Sequence, residues 1–394
     1  MTNHEIYIIG AARTAIGTYG GSLKDVPLTK LGATVVQAAL ERSGLLAPEI
    51  GHVVMGNVIP TVPKDAYLAR VAAIDAGIPQ ESPAFNVNRL CGSGLQAIIS
   101  AAQAIALLDT GIAIAGGAES MSRGPYIVPA MRWGARMGDV SAIDYMHGIL
   151  HDPWQKIHMG ITAENVAARY GITREMQDAL AFESQRRAAK AIAEGRFRDQ
   201  IVPVARQTRQ GTSLFAVDEH VRADVTPEAL AGMRPAFKKD GTVTAGNASG
   251  INDGAAALVM AGAEQVRAHA LRPLARLVAY AHAGVEPAYM GIGPIPATRL
   301  VLQRAGLRAS ELDVVESNEA FAAQACAVSR ELDLDPAKVN PNGSGISLGH
   351  PVGATGAINS VKAIYELHRT GGKYALVTMC IGGGQGIAAV FERV

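Results

Sequence analysis

The sequence predicts an α/β protein built from two similar halves with a segment inserted between them. Three observations indicate this class. Short apolar runs alternate with Ala-rich helical patterns, the order of these elements is repeated in the C-terminal part of the chain, and residues 121–250 between the repeats differ in composition. Alternating strands and helices favour a layered architecture in which helices cover the faces of a sheet.

The two halves show the same alternation of elements. In the N-terminal half, residues 1–120, the predicted elements are 6–9 (strand), 28–42 (helix), 52–57 (strand), 94–108 (helix) and 112–115 (strand). In the C-terminal half, residues 251–394, they are 275–280 (strand), 297–305 (helix), 313–316 (strand), a helix after Gly353, and a hairpin-like pair at 374–379 and 386–392.

Offsetting one half against the other aligns residues that carry reactive groups. An offset of 259 residues places Cys91 on His350, and an offset of 261 places Asn57 on Asn318. If both halves share one topology, the helix N-termini beside Cys91 and His350 are expected to face a common cleft.

The inserted region, residues 121–250, begins with a turn-rich stretch containing Met, Arg, Gly and Pro and continues into a charged helix at residues 173–194. We expect an inserted loop domain that acts as a lid. It would supply binding surface and subunit contacts to a site that the two halves form.

The composition excludes several classes of protein. Lys plus Arg number 36 and Asp plus Glu number 35, so the chain lacks the basic field of a nucleic-acid-binding protein. The apolar run at residues 6–10 is too short for a membrane span or a secretory signal. Three cysteines in 394 residues cannot form a disulfide framework. We therefore expect a cytoplasmic protein with free thiols and with neither nucleic acid nor membrane as a partner.

Three Gly-rich stretches carry the candidate chemistry. They are residues 88–94 around Cys91, 349–356 around His350 and 379–386 around Cys380. Glycine lets backbone N–H groups approach a substrate carbonyl, because it has no Cβ. A thiolate crowded by such groups is typical of covalent acyl transfer.

For each of these residues, a purely structural role is the alternative to a chemical one. Cys91 opens a helix, whose dipole and unpaired N–H groups are expected to lower the thiol pKa and favour a nucleophilic thiolate; the alternative is a buried, inert cysteine. His350 precedes a proline and is disfavoured in regular helix, although it could only satisfy loop carbonyls. Cys380 could be a core residue at a strand end, but the glycines after it would then serve no purpose.

Other patterns are discounted. Cys326 lies in an Ala-rich helical segment and is expected to pack there. No metal site is expected, because Cys91 and Cys380 are far apart and the chain has no C-x-x-C pair. Residues 382–386 do not fit the dinucleotide-binding pattern and precede a strand.

Four blocks, in order and across nearly the whole chain, resemble the thiolase family of acetyl-CoA acetyltransferases and β-ketothiolases. They are the Cys91 loop, N-E-A-F-A at residues 318–322, G-H-P-x-G-x-T-G-A at 349–357 and C-x-G-G-G-x-G at 380–386. The resemblance implies the thiolase fold, with five-stranded mixed sheets in two layered halves and a loop domain. It also implies a homotetramer or a dimer, and we expect the homotetramer, a dimer of dimers.

The resemblance further implies the reaction. Cys91 would attack the thioester of an acyl-CoA with His350 as base, and Cys380 would then take the α-proton of acetyl-CoA, whose carbanion attacks the acyl-enzyme. The reverse reaction is thiolytic cleavage of a 3-ketoacyl-CoA. The N–H groups of Cys91 and Gly382 would stabilise one oxyanion, and His350 with a water held by Asn318 would stabilise the other.

By the same resemblance, coenzyme A and acyl-CoA are substrates and no cofactor is bound permanently. The residues implied in CoA contacts are His158, Met159, Arg222, Phe237, Ser249, Met290, Ala320 and Phe321. Arg222 could instead be a solvated surface charge and Phe237 a core residue. Glu319 is expected either to orient the Asn318 network or to cap a helix.

The leading prediction is an acyl-CoA:acetyl-CoA C-acyltransferase that makes or cleaves short-chain 3-ketoacyl-CoA by Claisen chemistry. A decarboxylating ketoacyl synthase shares the fold and a nucleophilic cysteine, but it needs no α-proton base at the position of Cys380. An inactive CoA- or lipid-binding homologue is disfavoured, because every reactive position is intact.

Overall fold

The computed structural model describes residues 5–209 and 211–394. Its strands are β1 (Ile6–Arg13), β2 (Gly17–Thr18), β3 (His52–Gly56), β4 (Ala84–Val87), β5 (Ile112–Ser120), β6 (Tyr126–Ile127), β7 (Ile143–Asp144), β8 (Val204–Thr208), β9 (Gly211–Phe215), β10 (Asn252–Gly262), β11 (Ala275–Gly284), β12 (Val314–Ser317), β13 (Tyr374–Ile381) and β14 (Gln385–Arg393). Its α-helices are α1 (Leu28–Ser43), α2 (Leu68–Asp75), α3 (Ser93–Ala106), α4 (Tyr145–Gly148), α5 (Met159–Tyr170), α6 (Arg174–Ala193), α7 (Pro227–Ala231), α8 (Ala263–Ala268), α9 (Pro294–Ala305), α10 (Ala322–Glu331) and α11 (Thr355–Thr370). Every strand and helix named in the sequence analysis is present.

The main sheet is mixed and repeats one pairing pattern in both halves. Its order is β12-β13-β14-β11-β1-β10-β5-β3-β4, and the short β2 pairs with β10. In the N-terminal half β3 is parallel to β5, which is followed by the antiparallel neighbours β10 and β1. In the C-terminal half β12 is parallel to β13, which is followed by the antiparallel neighbours β14 and β11. The α/β class and the repeated topology are confirmed.

The expectation of two separate five-stranded sheets needs a correction. The halves form one continuous sheet, because residues 6–8 of β1 pair with β11. Within the described residues, the fifth strand of the C-terminal half is reduced to a single bridge between Val315 and Val339, at the edge that corresponds to β4. Strand β10 follows the boundary placed at residue 250 but lies between β1 and β5. The inserted region therefore interrupts the N-terminal half.

Helices α3 and α11 pack against each other and against strands of both halves. Their backbones approach closely at a glycine, since a Cβ on Gly94 would lie 2.7 Å from the backbone nitrogen of Ala357. Helix α3 follows Cys91 and helix α11 follows His350. Their packing therefore brings the two helix N-termini, and the loops before them, to the same place.

The inserted region carries α4 to α7 and the strand pairs β6–β7 and β8–β9. Helix α6 begins after Thr173, whose hydroxyl accepts a hydrogen bond from the Met176 N–H. A fully buried ion pair at 2.8 Å between Arg13 of β1 and Asp218 ties the region to the N-terminal half. In the described part of the chain, no helix combines the length and the apolar content that a membrane span requires.

Candidate active site

One cavity brings together side chains from both halves. It has a volume of about 240 Å³, and Cys91, His350 and Cys380 are among the residues that line it. Cys91 comes from the loop before α3, His350 from the loop before α11, and Cys380 from the end of β13. Two thiols and an imidazole, distant in the sequence, thus line one cavity.

The Cys91 loop is a tight and strained turn. Leu90 has a φ of 45°, in the left-handed region that a branched residue rarely adopts. The Ser93 hydroxyl donates to the Leu90 carbonyl at 2.7 Å and accepts from the Arg89 N–H at 2.8 Å. These bonds hold the turn closed. The backbone N–H groups of Gly382 and of Cys91 itself favour the thiolate form of Cys91.

Burial raises the pKa of Cys91 to about 11, and the nearby Glu119 carboxylate contributes to the rise, although the two N–H groups oppose it. The prediction that the helix N-terminus lowers this pKa is therefore wrong, because desolvation of the thiolate outweighs the N–H groups and the helix dipole. Cys91 is neutral at rest. A base must take its proton before the sulfur attacks.

His350 is held so that one ring nitrogen is free to act as that base. Its Nδ1 lies 2.7 Å from Thr355 Oγ1, and the Thr355 hydroxyl donates its single hydrogen to the Pro351 carbonyl at 3.0 Å. Thr355 Oγ1 therefore accepts from Nδ1–H, which leaves Nε2 unprotonated. Burial lowers the pKa of His350 to about 4, so the ring is neutral at rest.

The backbone of His350 is also anchored. Its N–H donates to Asn252 Oδ1 at 2.9 Å, and Asn252 Nδ2 donates to the Gly17 carbonyl at 3.0 Å. Asn252 is the first residue of β10. The strand that completes the N-terminal half therefore positions the histidine loop of the C-terminal half.

Asn318 and Glu319 follow β12 and are buried. Asn318 Nδ2 lies 3.4 Å from His350 Nε2 and 3.5 Å from His350 Nδ1. Glu319 accepts from Ser184 Oγ of α6 at 2.6 Å and from Asn340 Nδ2 at 2.9 Å. These bonds join the inserted region to the C-terminal half and orient the segment that carries Asn318, which favours the network role of Glu319 over a helix cap.

Cys380 is buried at the end of β13, beside the glycine turn that leads to β14. Gly383 and Gly384 have φ values of 81° and 84°, which side chains rarely adopt, so this turn requires glycine. Burial raises the pKa of Cys380 strongly, and the neighbouring Cys91 adds to the rise. Cys380 is therefore also a neutral thiol at rest.

The residues expected to contact CoA lie along one side of the cavity, except for one. His158, Met159, Phe237, Ser249, Met290, Ala320 and Phe321 line it, as does Gly382. The His158 ring stacks on Phe237 with centroids 4.6 Å apart, and burial lowers the pKa of His158 to about 4. Arg222 is not among the lining residues; its backbone N–H donates to Gln185 Oε1 at 2.8 Å.

The sequence analysis missed three polar residues of the site: Thr355, Asn252 and Glu119. Thr355 belongs to a block that was singled out and stands five residues after His350, so its place on the same loop was an available signal. Asn252 and Glu119 reach the site only through the fold. Across residues 5–209 and 211–394, no group of three or more His, Cys, Asp or Glu side chains is arranged to hold a metal ion.

Comparison with known proteins identifies relatives of the whole chain. The β-ketothiolase BktB of Cupriavidus necator is 63% identical over 391 residues, which cover 99% of each chain. The acetyl-CoA acetyltransferase of Chromobacterium violaceum is 51% identical over 391 residues, which cover 99% of this chain and 100% of that one. The crystal structure of human mitochondrial 3-ketoacyl-CoA thiolase in complex with CoA matches with a TM-score of 0.96 at 43% identity, covering 99% of this chain and 98% of the other.

Two family models match in succession. The thiolase N-terminal domain matches residues 6–264 and the thiolase C-terminal domain matches residues 271–393. The first match ends just after β10, in agreement with the pairing of that strand. The fold, the shared cavity and these matches together show that the chain belongs to the thiolase family.

Proposed function

We propose that the protein is an acyl-CoA:acetyl-CoA C-acyltransferase, which condenses acetyl-CoA with a short-chain acyl-CoA or cleaves a 3-ketoacyl-CoA with CoA. The observation that carries the proposal is the presence of Cys91, His350 and Cys380 around one cavity. A decarboxylating synthase is less favoured, because it has no use for a second thiol facing the first.

In the first half-reaction, His350 Nε2 takes the proton of Cys91, and the thiolate attacks the carbonyl carbon of the acyl-CoA thioester. The negative charge moves to the carbonyl oxygen, where the N–H groups of Cys91 and Gly382 can stabilise it; loss of one such donor typically costs about 10²–10³-fold in rate. The C–S bond to CoA then breaks. CoA leaves as a thiolate and takes the proton of Cys380, which yields acyl-Cys91, imidazolium and a Cys380 thiolate.

In the second half-reaction, the Cys380 thiolate takes the α-proton of acetyl-CoA. Its raised pKa makes it a strong base once it is deprotonated. The imidazolium of His350, with Asn318 beside it, stabilises the enolate oxygen. The enolate carbon attacks the acyl carbonyl, Cys91 leaves, and it recovers its proton from His350. All three groups return to their resting protonation states.

The two sides of the cavity suit different parts of the substrates. The side with Cys380 carries His158, Ser249 and the other predicted CoA contacts except Arg222. The side with Cys91 is an apolar cluster that includes Val58, Met121 and Val352. We assign the pantetheine arm to the first side and the acyl chain to the second, because burying amide groups against an apolar wall would leave them without partners. Arg222, outside the cavity, stays a candidate contact for the charged nucleotide end of CoA.

The inserted region supports the expected assembly. Trp133 is 91% exposed and Met137 is 97% exposed, and both lie between β6 and β7. Large exposed apolar side chains in one segment mark an interaction surface. We propose that this segment contributes to a homotetramer in the cytoplasm and that the enzyme works with CoA substrates alone, without a permanently bound cofactor. Light scattering after size exclusion would measure the assembly.

The direct test mixes the protein with acetoacetyl-CoA and CoA and follows the absorbance of the 3-ketoacyl thioester. We expect the signal to fall, and mass spectrometry after incubation with acetyl-CoA to place one acetyl group on Cys91. A stable signal together with an unmodified Cys91 would reject the proposal. A panel of 3-ketoacyl-CoA chain lengths would then measure the capacity of the apolar side.

A further inference from the structure

A carboxylate that the proposed reaction does not use lies between the turn after β3 and the His350 loop. Glu119, near the end of β5, is fully buried and accepts four hydrogen bonds. Asn57 Nδ2 at 2.8 Å and the Ile59 N–H at 3.0 Å donate to Oε1, and the N–H groups of Val58 at 3.0 Å and Gly353 at 2.8 Å donate to Oε2. Three of these donors belong to the turn after β3, and the fourth belongs to the loop that leads into α11.

This carboxylate therefore joins the two halves at the wall of the cavity. Val58, which donates to it, and Val352, next to the donor Gly353, both line the cavity. The loop reaches the carboxylate only because residue 353 is glycine, since a Cβ there would overlap Glu119 Oε2. The loop backbone also lies close to the end of β3, since a Cβ on Gly56 would lie 2.7 Å from the Gly353 carbonyl oxygen.

The donor pattern fits an ionised carboxylate. Each oxygen receives two N–H donors, which matches its lone pairs, whereas a protonated oxygen would direct its hydrogen at another hydrogen. Burial raises the pKa of Glu119, while the N–H groups of Ile59, Val58 and Gly353 oppose that rise and favour the ionised form. A glutamine has the same shape, but its NH₂ group would face two N–H donors. A Glu119→Gln change therefore removes two of the four hydrogen bonds with little change in side-chain volume.

We propose that Glu119 is a positioning residue that holds the His350 loop against the N-terminal half, so that His350 Nε2 can reach the Cys91 proton. The inference rests on the proposed roles of Cys91 and His350. It adds to the acylation step a residue that acts through the loop backbone. A misplacement of about 1 Å in a reacting geometry can cost about 10²-fold in rate.

The test measures how fast iodoacetamide alkylates Cys91, with the modified residue identified by mass spectrometry, near neutral pH. We expect Glu119→Gln to slow the alkylation by roughly 10- to 100-fold, because the proton acceptor is misplaced. Charge alone predicts the opposite: loss of a negative charge near Cys91 would favour the thiolate and speed the alkylation. Alkylation at or above the wild-type rate would overturn the proposal.

A double-mutant cycle separates positioning from general damage. In a His350→Ala background, Glu119→Gln is expected to add no further slowing, because the group that it positions is absent. Additive effects would overturn the proposal. If the amide variant does not fold, Glu119→Asp enters the same cycle, and the same absence of additivity is required of it.

Asp313→Asn is the matched control. Asp313 accepts backbone hydrogen bonds from Lys373 at 2.7 Å and Tyr374 at 3.0 Å, at the opposite end of β13 from Cys380. We expect it to leave the alkylation rate unchanged. Because alkylation needs no acyl-CoA, a protein without thiolase activity that shows the coupling would reject the proposed function and keep this inference. An active thiolase in which Glu119→Gln and His350→Ala have additive effects would keep the proposed function and reject this inference.

Discussion

The Cys91 loop and the His350 loop occupy equivalent places in the two halves, yet they are built in different ways. Each precedes the helix that packs at the centre of the molecule. The Cys91 turn is held by its own backbone and by Ser93, with Leu90 in a strained conformation. The His350 loop is anchored by distant residues, by Asn252 through a hydrogen bond and by Glu119 through Gly353, while Thr355 of the same loop orients the ring.

The difference shows what a repeated topology does and does not determine. It places two helix N-termini together, but the local loop decides which chemistry each of them carries. The residues after the matching strands β3 and β12 behave likewise, since Asn57 bonds to Glu119 while Asn318 contacts His350. A nucleophilic sulfur needs a defined direction of attack and some freedom to move. A base needs a defined tautomer, which requires partners on the ring.

The largest effect is expected when the Cys91 loop loses its sulfur. We expect Cys91→Ala to lower the rate of acetoacetyl-CoA thiolysis by about 10⁴-fold or more, because no other group can form the acyl-enzyme. The matched control is Cys326→Ala, which removes a half-buried thiol outside the cavity and should leave the rate unchanged. A Cys91→Ala enzyme that keeps a tenth of the wild-type rate would show that the two loops do not divide the work as described.

The second effect tests whether the C-terminal half supplies two separate bases. We expect Cys380→Ser to lower acetoacetyl-CoA formation by roughly 10²–10⁴-fold, because the α-proton loses its acceptor. Acetylation of Cys91 by acetyl-CoA should persist, because the attack depends on His350 and the CoA thiolate can leave before it is protonated. Mass spectrometry and product absorbance on the same sample separate the two steps. Loss of both together would mean that Cys380 supports the attack of Cys91, and not only the second step.

Much of this architecture is visible in the sequence because its signals are local. Hydrophobic periodicity locates β1, α1, β13 and β14, and glycines mark the turns that need them. Resemblance of four short blocks relates Cys91, His350 and Cys380 to one reaction. These patterns span few residues each, so no knowledge of the fold is needed to read them.

The remainder depends on contacts between distant residues. Strand β10 follows the insertion, and nothing in its composition shows that it pairs with β1 and β5. The reach of Glu119 to Gly353 spans more than half of the chain. The pKa of Cys91 was predicted with the wrong sign for the same reason: the helix N-terminus is visible in the sequence, but the depth of burial is a property of the folded site.

The third effect concerns stability and belongs to the His350 loop alone. Burial lowers the His350 pKa to about 4, below the roughly 6.5 of an unfolded chain. The unfolded state therefore binds more protons in this window, and stability is lost as the pH falls from about 6.5 towards 4. We expect the unfolding free energy of the wild type to fall by about 2 kcal/mol more than that of His350→Gln between about pH 7 and pH 5, measured with urea. Equal losses would mean that His350 is protonated as easily in the folded state.

The smallest effect is expected from the hydrogen bond between Thr355 and His350, which selects the tautomer of the ring. We expect Thr355→Val to slow acetylation of Cys91 by about 10-fold, because one lost hydrogen bond of about 1.4 kcal/mol lets the ring turn and the other tautomer form. Rapid-quench measurement of acetyl-Cys91 reports this step. Thr298→Val removes another buried hydroxyl, whose contact with Thr378 at 3.4 Å lies away from the cavity lining, and it should leave acetylation unchanged. Wild-type acetylation by Thr355→Val would show that the loop backbone alone holds the ring, and the contrast between the two loops would disappear.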